Sequence, residues 1–596
     1  MVSDLLTELR RSSQPVMPAM LEHTRNGYDI YPSRDIGPGR IVAGHAAIAT
    51  LIGTSGTVVL DGYPGVGWEQ LRAGLTAAWD ARGITSAWLD IDAALRSPDE
   101  IETLINPYLG GDDPIFGTAF TGELSDFFSM DALSNLCPPR GADLTVLYGT
   151  GAALAGWPGL LVWVEVPKNE LQFRARAGQP TNLGSLPATS AKVAYKRDYF
   201  VDWPVLNRHK QRLLASIDLL IDEQRPAQPT AIQGHDLRTA LTSLTRSPLR
   251  ARPWFEPGAW GGQWIKTNIP QLPQDVPNYA WSFELICPEN GIVLESDALA
   301  LEVPFDTLLF HDSFAVLGES AARFGPEFPI RFDFLDTFQG GNLSIQVHPR
   351  PDYIRRNFGE RFTQDETYYI LDCEPGSNVY LGFRDDIDPI SFRTALEMSA
   401  NTGEPIEIER FVQKHPANKH DLFLIPHGTI HGSGVNNLVL EISATPYIFT
   451  FKLYDWVRLD LDGHPRPLNI ERGLANAFFD RKGARIAEEF ISHPRLADQG
   501  TGWQLIDLPT HPDHFYNIRR LELEEGIVFE LATNDSVQVM SLVEGSSVVV
   551  EAGGLAERYL YAETFVVPAA AESVRLLSDR PVKVVIASIK PGRGPQ

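Results

Sequence analysis

Gln346, His348, Glu366 and His431 are four side chains that can bind a divalent metal, and all four lie in β-rich sequence. Gln346 and His348 are two residues apart in a β-branched run, so a strand directs both to one face. Glu366 opens the next apolar run. His431 closes a strand-like run that begins at Leu422 and breaks at Pro426 and Gly428. Three or four such side chains converging inside a small barrel bind a metal and leave one position open for substrate.

Those residues need a scaffold, and the texture of the chain changes where it is needed. Residues 1–228 alternate strands and helices, which predicts an α/β domain with a parallel sheet. A helix from Asn207 to Asp222 closes it. Residues 229–250 read as a linker, after a Pro-rich start at Arg225. From 251 to 470, short β runs punctuated by Gly, Pro and Asn predict an all-β barrel or jelly roll with a small helical insertion. A helical connection, 471–502, precedes a second, smaller β lobe, 503–596.

Composition limits the partners. The chain has 596 residues, more than one ordinary core, and a formal net charge of −25. That charge argues against nucleic acid or an anionic membrane as a partner. Cys137, Cys287 and Cys373 are odd in number and far apart, which points to a reducing compartment. With no apolar run long enough for a membrane span and no secretory core at the start, a cytoplasmic protein is expected. The sequence sets no oligomeric state.

The ordered segments Leu343 to Pro349, Glu366 to Asp372, Tyr380 to Phe383, Asp421 to His431, Lys452 to Arg458 and Pro465 to Ile470 resemble the type I mannose-6-phosphate isomerases. These are zinc enzymes of the cupin fold, and the resemblance covers residues 251–590. It implies a double cupin whose metal ligands are Gln346, His348, Glu366 and His431. Two nitrogen and two oxygen donors suit Zn²⁺, and Mn²⁺, Fe²⁺ or Co²⁺ also fit. The implied reaction interconverts mannose 6-phosphate and fructose 6-phosphate through an enediol, with a Lewis acid stabilising charge on the carbonyl oxygen. Glu441 matches a pocket carboxylate and is the candidate base, or else a buried structural acid paired with a cation. Lys452 stands where relatives carry an enediolate-stabilising arginine. Ser344 and Arg458 match substrate-phosphate contacts.

Several positions depart from the family pattern. Lys452 keeps a positive charge without the bidentate fork of arginine. Gln364 replaces a lysine, and Asp365 adds an acid beside it, so the pocket is expected to be less favourable to anions. His427 is an extra imidazole, read either as a group supporting the ligands from behind or as a polar residue in a wet loop.

The first domain carries Gly62, Gly65 and Gly67 between a strand and a helix, the context of a phosphate-binding loop. It resembles a P-loop kinase of the uridine-kinase type, with Asp90 at a strand end and Arg174 and Arg176 in place of a lid. Trp68 and Glu69 replace the lysine and the Mg²⁺-binding hydroxyl. The expectation is a degenerate scaffold with no ATP and no other cofactor of its own, with a regulatory site for a phosphorylated metabolite as a further reading. The leading function is therefore a metal-dependent isomerase of a small-molecule sugar phosphate. A non-catalytic sugar-phosphate sensor is the alternative, and a bifunctional kinase–isomerase a third reading.

Overall fold

In the computed structural model, residues 9–22, 27–111, 113–184, 188–287, 289–461 and 463–592 are described. The chain divides into two units: Met1–Thr24 with Tyr31–Leu244 and Pro288–Asp312, and Arg25–Ile30 with Thr245–Cys287 and Ser313–Gln596.

In the first unit, seven strands form one sheet: β1 (Ile41–Ala43), β2 (Gly56–Gly62), β3 (Ser86–Asp90), β4 (Leu144–Tyr148), β5 (Leu160–Glu165), β6 (Leu219–Asp222) and β7 (Thr230–Gln233). Their order is β1-β7-β6-β5-β2-β4-β3. The five from β6 to β3 are parallel, and β7 and β1 run antiparallel at one edge. The sheet is mixed rather than parallel. The chain has only residues 223–229 between β6 and β7, too few for the crossover of a dozen or more that a parallel return requires.

That edge also corrects the expected closing helix and linker. The helix runs Trp203–Leu213, and Leu219–Asp222 is a fully buried strand. A short continuous apolar run satisfies helix and strand patterns alike, so periodicity could not separate them. Residues 229–250 carry β7 and the helix Gly234–Leu244, whose Leu237, Leu241 and Leu244 are buried at helical spacing. A hairpin of strands Gly291–Ser296 and Leu299–Pro304 also belongs to the first unit and pairs with Ser33–Asp35. Asp297 and Ala298 make its two-residue turn with φ of 51° and 65°, the left-handed pair such tight hairpins need.

The second unit opens with two facing antiparallel sheets. The first holds β8 (Trp254–Glu256), β9 (Trp281–Leu285), β10 (Ile330–Asp336), β12 (Glu366–Cys373), β15 (Leu422–Ile425) and β17 (Asn437–Ala444), in the order β15-β12-β17-β10-β9-β8. The second holds β11 (Ile345–Val347), β13 (Asn378–Phe383), β14 (Val412–Pro416), β16 (His431–Ser433) and β18 (Phe451–Tyr454), in the order β14-β13-β16-β11-β18. Leu335, Ile370, Val379, Leu381, Phe423 and Val439 pack together in the core between them. A helix, Pro389–Thr402, interrupts the strands where an insertion was expected.

The last lobe is again two antiparallel sheets, of six and four strands, around Leu521, Met540, Val550, Phe565 and Val584. Its first strand, Arg495–Gly500, lies inside the segment read as a helical connection, which otherwise holds only the short helices Ile470–Asn476 and Arg485–Glu489.

Candidate metal centre and its surroundings

Strand register decides which side chains meet in the first barrel. On one sheet Glu366 and Arg331 both pair with Ser443, while Tyr368 and Asp333 both pair with Glu441. The two rows are two residues apart, so all six side chains share a face. On the other sheet Gln346 pairs with His431 on one side and Lys452 on the other, and His431 pairs with Leu381. The barrel interior is therefore apolar at one end and densely polar at the other.

Ligand atoms of His348, Glu366 and His431 all lie within 4.8 Å of one another, and all three residues are buried. His348 Nε2 contacts Glu366 Oε2, His431 Nε2 lies 3.8 Å from Glu366 Oε1, and the Gln346 amide is 3.3 Å from His431 Nε2. Each imidazole anchors its other nitrogen on a backbone carbonyl: His348 Nδ1 on Phe449 at 3.1 Å, His431 Nδ1 on Thr429 at 2.9 Å. Such anchoring fixes the tautomer and turns both Nε2 lone pairs inward, as metal-binding histidines require. Glu366 Oε1 is buried without a hydrogen-bond partner. A buried carboxylate oxygen with no hydrogen-bond donor fits a metal-ligand role. The donors therefore suit a divalent metal.

Electrostatics agree with that fit. Burial works against the Glu366 carboxylate, yet the neighbouring imidazoles His348 and His431 hold it down to about 2. Burial lowers His431 to about 4, so its ring is neutral at neutral pH. Because the unfolded ring, at about 6.5, takes up its proton first, acidification from 6.5 towards 4 removes stability from the metal-free protein. Urea midpoints should fall across that window and the slope should shrink in His431→Asn; an unchanged slope would count against this account.

The remaining sequence-derived candidates divide. Lys452 is half-buried beside Gln346. Ser344 donates to Asp455 Oδ1 at 2.9 Å, and Arg458 Nη2 reaches the same oxygen at 2.5 Å. Arg466, which the sequence reading passed over, lies 2.8 Å from the other oxygen of Asp455. Two guanidinium groups and a hydroxyl thus already converge on one carboxylate. Glu441 is buried in an ion pair with Arg331 and accepts from Ser443 Oγ at 3.1 Å. To take a proton, it would have to weaken that pair.

Arg331 is the main residue that sequence reasoning missed. It reaches Asp333 at 3.2 Å, pairs with Glu441, and donates at 3.1 Å to the Gln364 amide oxygen, whose nitrogen donates to the Tyr447 carbonyl at 3.1 Å. A guanidinium thus stands beside Gln364, so this face keeps a cation. The signal was an arginine in the alternating run Ile330–Asp336, where an inward charge needs a partner.

Asp365 and His427 also differ from expectation. Asp365 precedes Glu366 and so points to the opposite face, where its Oδ1 accepts from the backbone N–H of His427 and lies 2.8 Å from His427 Nδ1. The added acid does not enter the barrel. His427 is a half-buried partner of that acid rather than a wet-loop residue.

In the first unit the glycines do join β2 to a helix, Trp68–Asp80. The anion position of the loop is filled from within the chain. Gly67 N–H donates to Glu223 Oε2 at 3.3 Å, and Arg174 donates to that oxygen at 2.8 Å and to the Gly65 carbonyl at 2.7 Å. Arg174 is therefore buried in an ion pair, not held out as a lid. Asp90 accepts from Asp92 N–H at 2.9 Å and caps the turn after β3. A Cβ on Gly67 would fall 2.7 Å from Glu223 Oε1. Gly67→Ala should cost about 1–3 kcal/mol, as overpacking of a filled interior does; urea unfolding that matches the parent would contradict this packing.

Residues 44–246 match a family described as Domain of unknown function (DUF8485). Mannose-6-phosphate isomerase ManA of Bacillus subtilis (strain 168) is 26% identical over 231 residues, 39% of this chain and 68% of that protein. The putative mannose-6-phosphate isomerase YvyI of the same organism is 23% identical over 308 residues, 51% of this chain and 88% of that protein. A crystal structure of the mannose 6-phosphate isomerase from Bacillus subtilis covers 57% of this chain and 99% of its own, at 19% identity and a TM-score of 0.47. Among the described residues, no helix is long and apolar enough to cross a membrane. The sequence relatives support an isomerase.

Proposed function

We propose that the chain is a metal-dependent aldose–ketose isomerase of a sugar phosphate, with mannose 6-phosphate and fructose 6-phosphate as its substrate pair. The observation that carries this reading is the convergence of His348, Glu366 and His431, beside Gln346, at the polar end of the space between two facing sheets. Those four residues would hold the metal, with Zn²⁺ the best match to two nitrogen and two oxygen donors. A divalent cation supplies Lewis acidity for charge developing on the substrate carbonyl oxygen. Ser344, Arg458 and Arg466 orient the phosphate by replacing their shared contact with Asp455. The Lys452 ammonium, in register beside Gln346, stabilises the enediolate. Glu441, its charge balanced by Arg331, takes the proton from one carbon and returns it to the next. Burial of this end of the barrel keeps bulk water from the enediol.

Purified full-length protein supplied with Zn²⁺ should interconvert mannose 6-phosphate and fructose 6-phosphate in a coupled assay. A panel of hexose and pentose phosphates fixes the substrate. No turnover on any member, with metal bound, would overturn the proposal. Lys452→Met should lower kcat by about 10²-fold, the usual loss for one preorganised charge-stabilising group, with metal affinity retained. An unchanged kcat would remove Lys452 from the mechanism.

A further inference from the structure

One loop of the second unit touches both His348 and His431. Pro426 to Thr429 follows β15 and precedes β16. Its Gly428 N–H donates to the His348 carbonyl at 2.9 Å, and its Thr429 carbonyl lies 2.9 Å from His431 Nδ1. The loop therefore sets the backbone beside one imidazole and the orientation of the other. A carbonyl on the far nitrogen of a metal-binding histidine fixes its tautomer and aims its inner nitrogen.

Arg481, between the short helices Ile470–Asn476 and Arg485–Glu489, grips that loop. Its Nη1 donates to the Pro426 carbonyl at 3.0 Å, the His427 carbonyl at 2.6 Å and Thr429 Oγ1 at 2.5 Å. All three bonds end on the loop. Hydrogen bonds from a charged donor are about twice as strong as neutral ones. The guanidinium is buried, 4.5 Å from the ring centre of Phe478 and 5.3 Å from that of Phe490, and Asp513 lies 3.6 Å from Nη2. Two aromatic faces and a carboxylate thus hold the cation in place. The same segment closes on the tip of the loop, where Phe478 N–H donates to the Gly428 carbonyl at 2.9 Å. Gly428 has φ of 74°, and a Cβ there would fall 2.5 Å from the Phe478 ring, so only glycine fits.

We propose that Arg481 is a positioning residue of the metal centre: by fixing the loop at 426–429 it sets the direction in which His431 Nε2 meets the metal. This role rests on the metal centre proposed above and not on the identity of the sugar. Full-length protein, stripped of metal and titrated with Co²⁺, tests it, because the visible bands of the bound ion report ligand geometry. Arg481→Met should weaken Co²⁺ binding at least about tenfold, as losing an outer partner of a ligand does, and shift the bands of the saturated protein. Arg481→Gln, which keeps an amide donor but no charge, should show the same changes to a smaller extent. Lower stability of Arg481→Met with the parent's affinity and bands would make Arg481 a brace of the fold and overturn the proposal. Should Arg481→Met fail to fold, Arg481→Gln decides: the parent's affinity and bands overturn the proposal, and weaker binding with shifted bands sustains it. A parent that takes up no Co²⁺ would remove the metal centre itself, and this role with it. Turnover is no part of the readout, so failure of the isomerase reading alone would leave these results unchanged.

Discussion

His348→Ala should abolish metal binding and lower turnover by at least about 10³-fold, beyond the ~10–100-fold typical of losing an outer partner of a metal ligand. Three buried donors converge on one point, and His348 supplies the nitrogen that contacts Glu366. Its loss removes the imidazole at Oε2, while Oε1 already lacks a hydrogen-bond partner and keeps only His431 at 3.8 Å. The metal-free variant should therefore also lose about 1–3 kcal/mol of stability, the cost of an unsatisfied buried polar group. Chelation should lower the Tm of the parent, because a metal at a thousand times its Kd contributes about 4 kcal/mol. It should not change the Tm of the variant. Inductively coupled plasma analysis, calorimetry and the coupled assay read these effects separately. Full turnover in His348→Ala would remove the metal assignment, and an equal chelator response in both proteins would place the stabilising metal elsewhere.

Arg331→Leu should destabilise the second unit by about 3–5 kcal/mol, the range for breaking a buried charge pair by removing one partner. The reason is local: Asp333, Glu441 and Glu366 share one face of the sheet, and Arg331 is the cation among them. Burial raises the Asp333 carboxyl to about 6, with Arg331 opposing and Glu366 adding to the rise. Removing the arginine should thus drive proton uptake by this cluster near neutral pH, seen as a new dependence of stability on pH. Arg331→Lys keeps the charge but not the fork, and should recover part of the stability while altering kcat. Urea unfolding at several pH values measures both variants. A loss below about 1 kcal/mol in Arg331→Leu would show that the carboxylates are balanced by other groups.

The cluster of candidate ligands was legible because period-2 spacing, turn residues and ligand chemistry are local. Gln346 and His348 declare a shared strand face, and Pro426 and Gly428 mark the turn that precedes His431. The glycine loop between β2 and its helix was legible for the same reason. The charge balance around the ligands was not. Reading Gln364 as a lost cation and Asp365 as an added acid treated neighbours in sequence as neighbours in space. The strand turns Asp365 away to His427 and leaves Gln364 against Arg331, 33 residues earlier in the chain.

The edge of the first sheet shows the same limit. Leu219–Asp222 is apolar enough for a helix or a strand, and its pairing with β5 and β7 makes it a strand. The partition of the chain was likewise invisible, since the hairpin Gly291–Pro304 pairs with Ser33–Asp35 across more than 250 residues. By itself the sequence determined which side chains could do chemistry and which strand faces they shared. Tertiary structure decided which charges stand next to one another, because burial makes an ionised group choose its partner by distance through space, not along the chain.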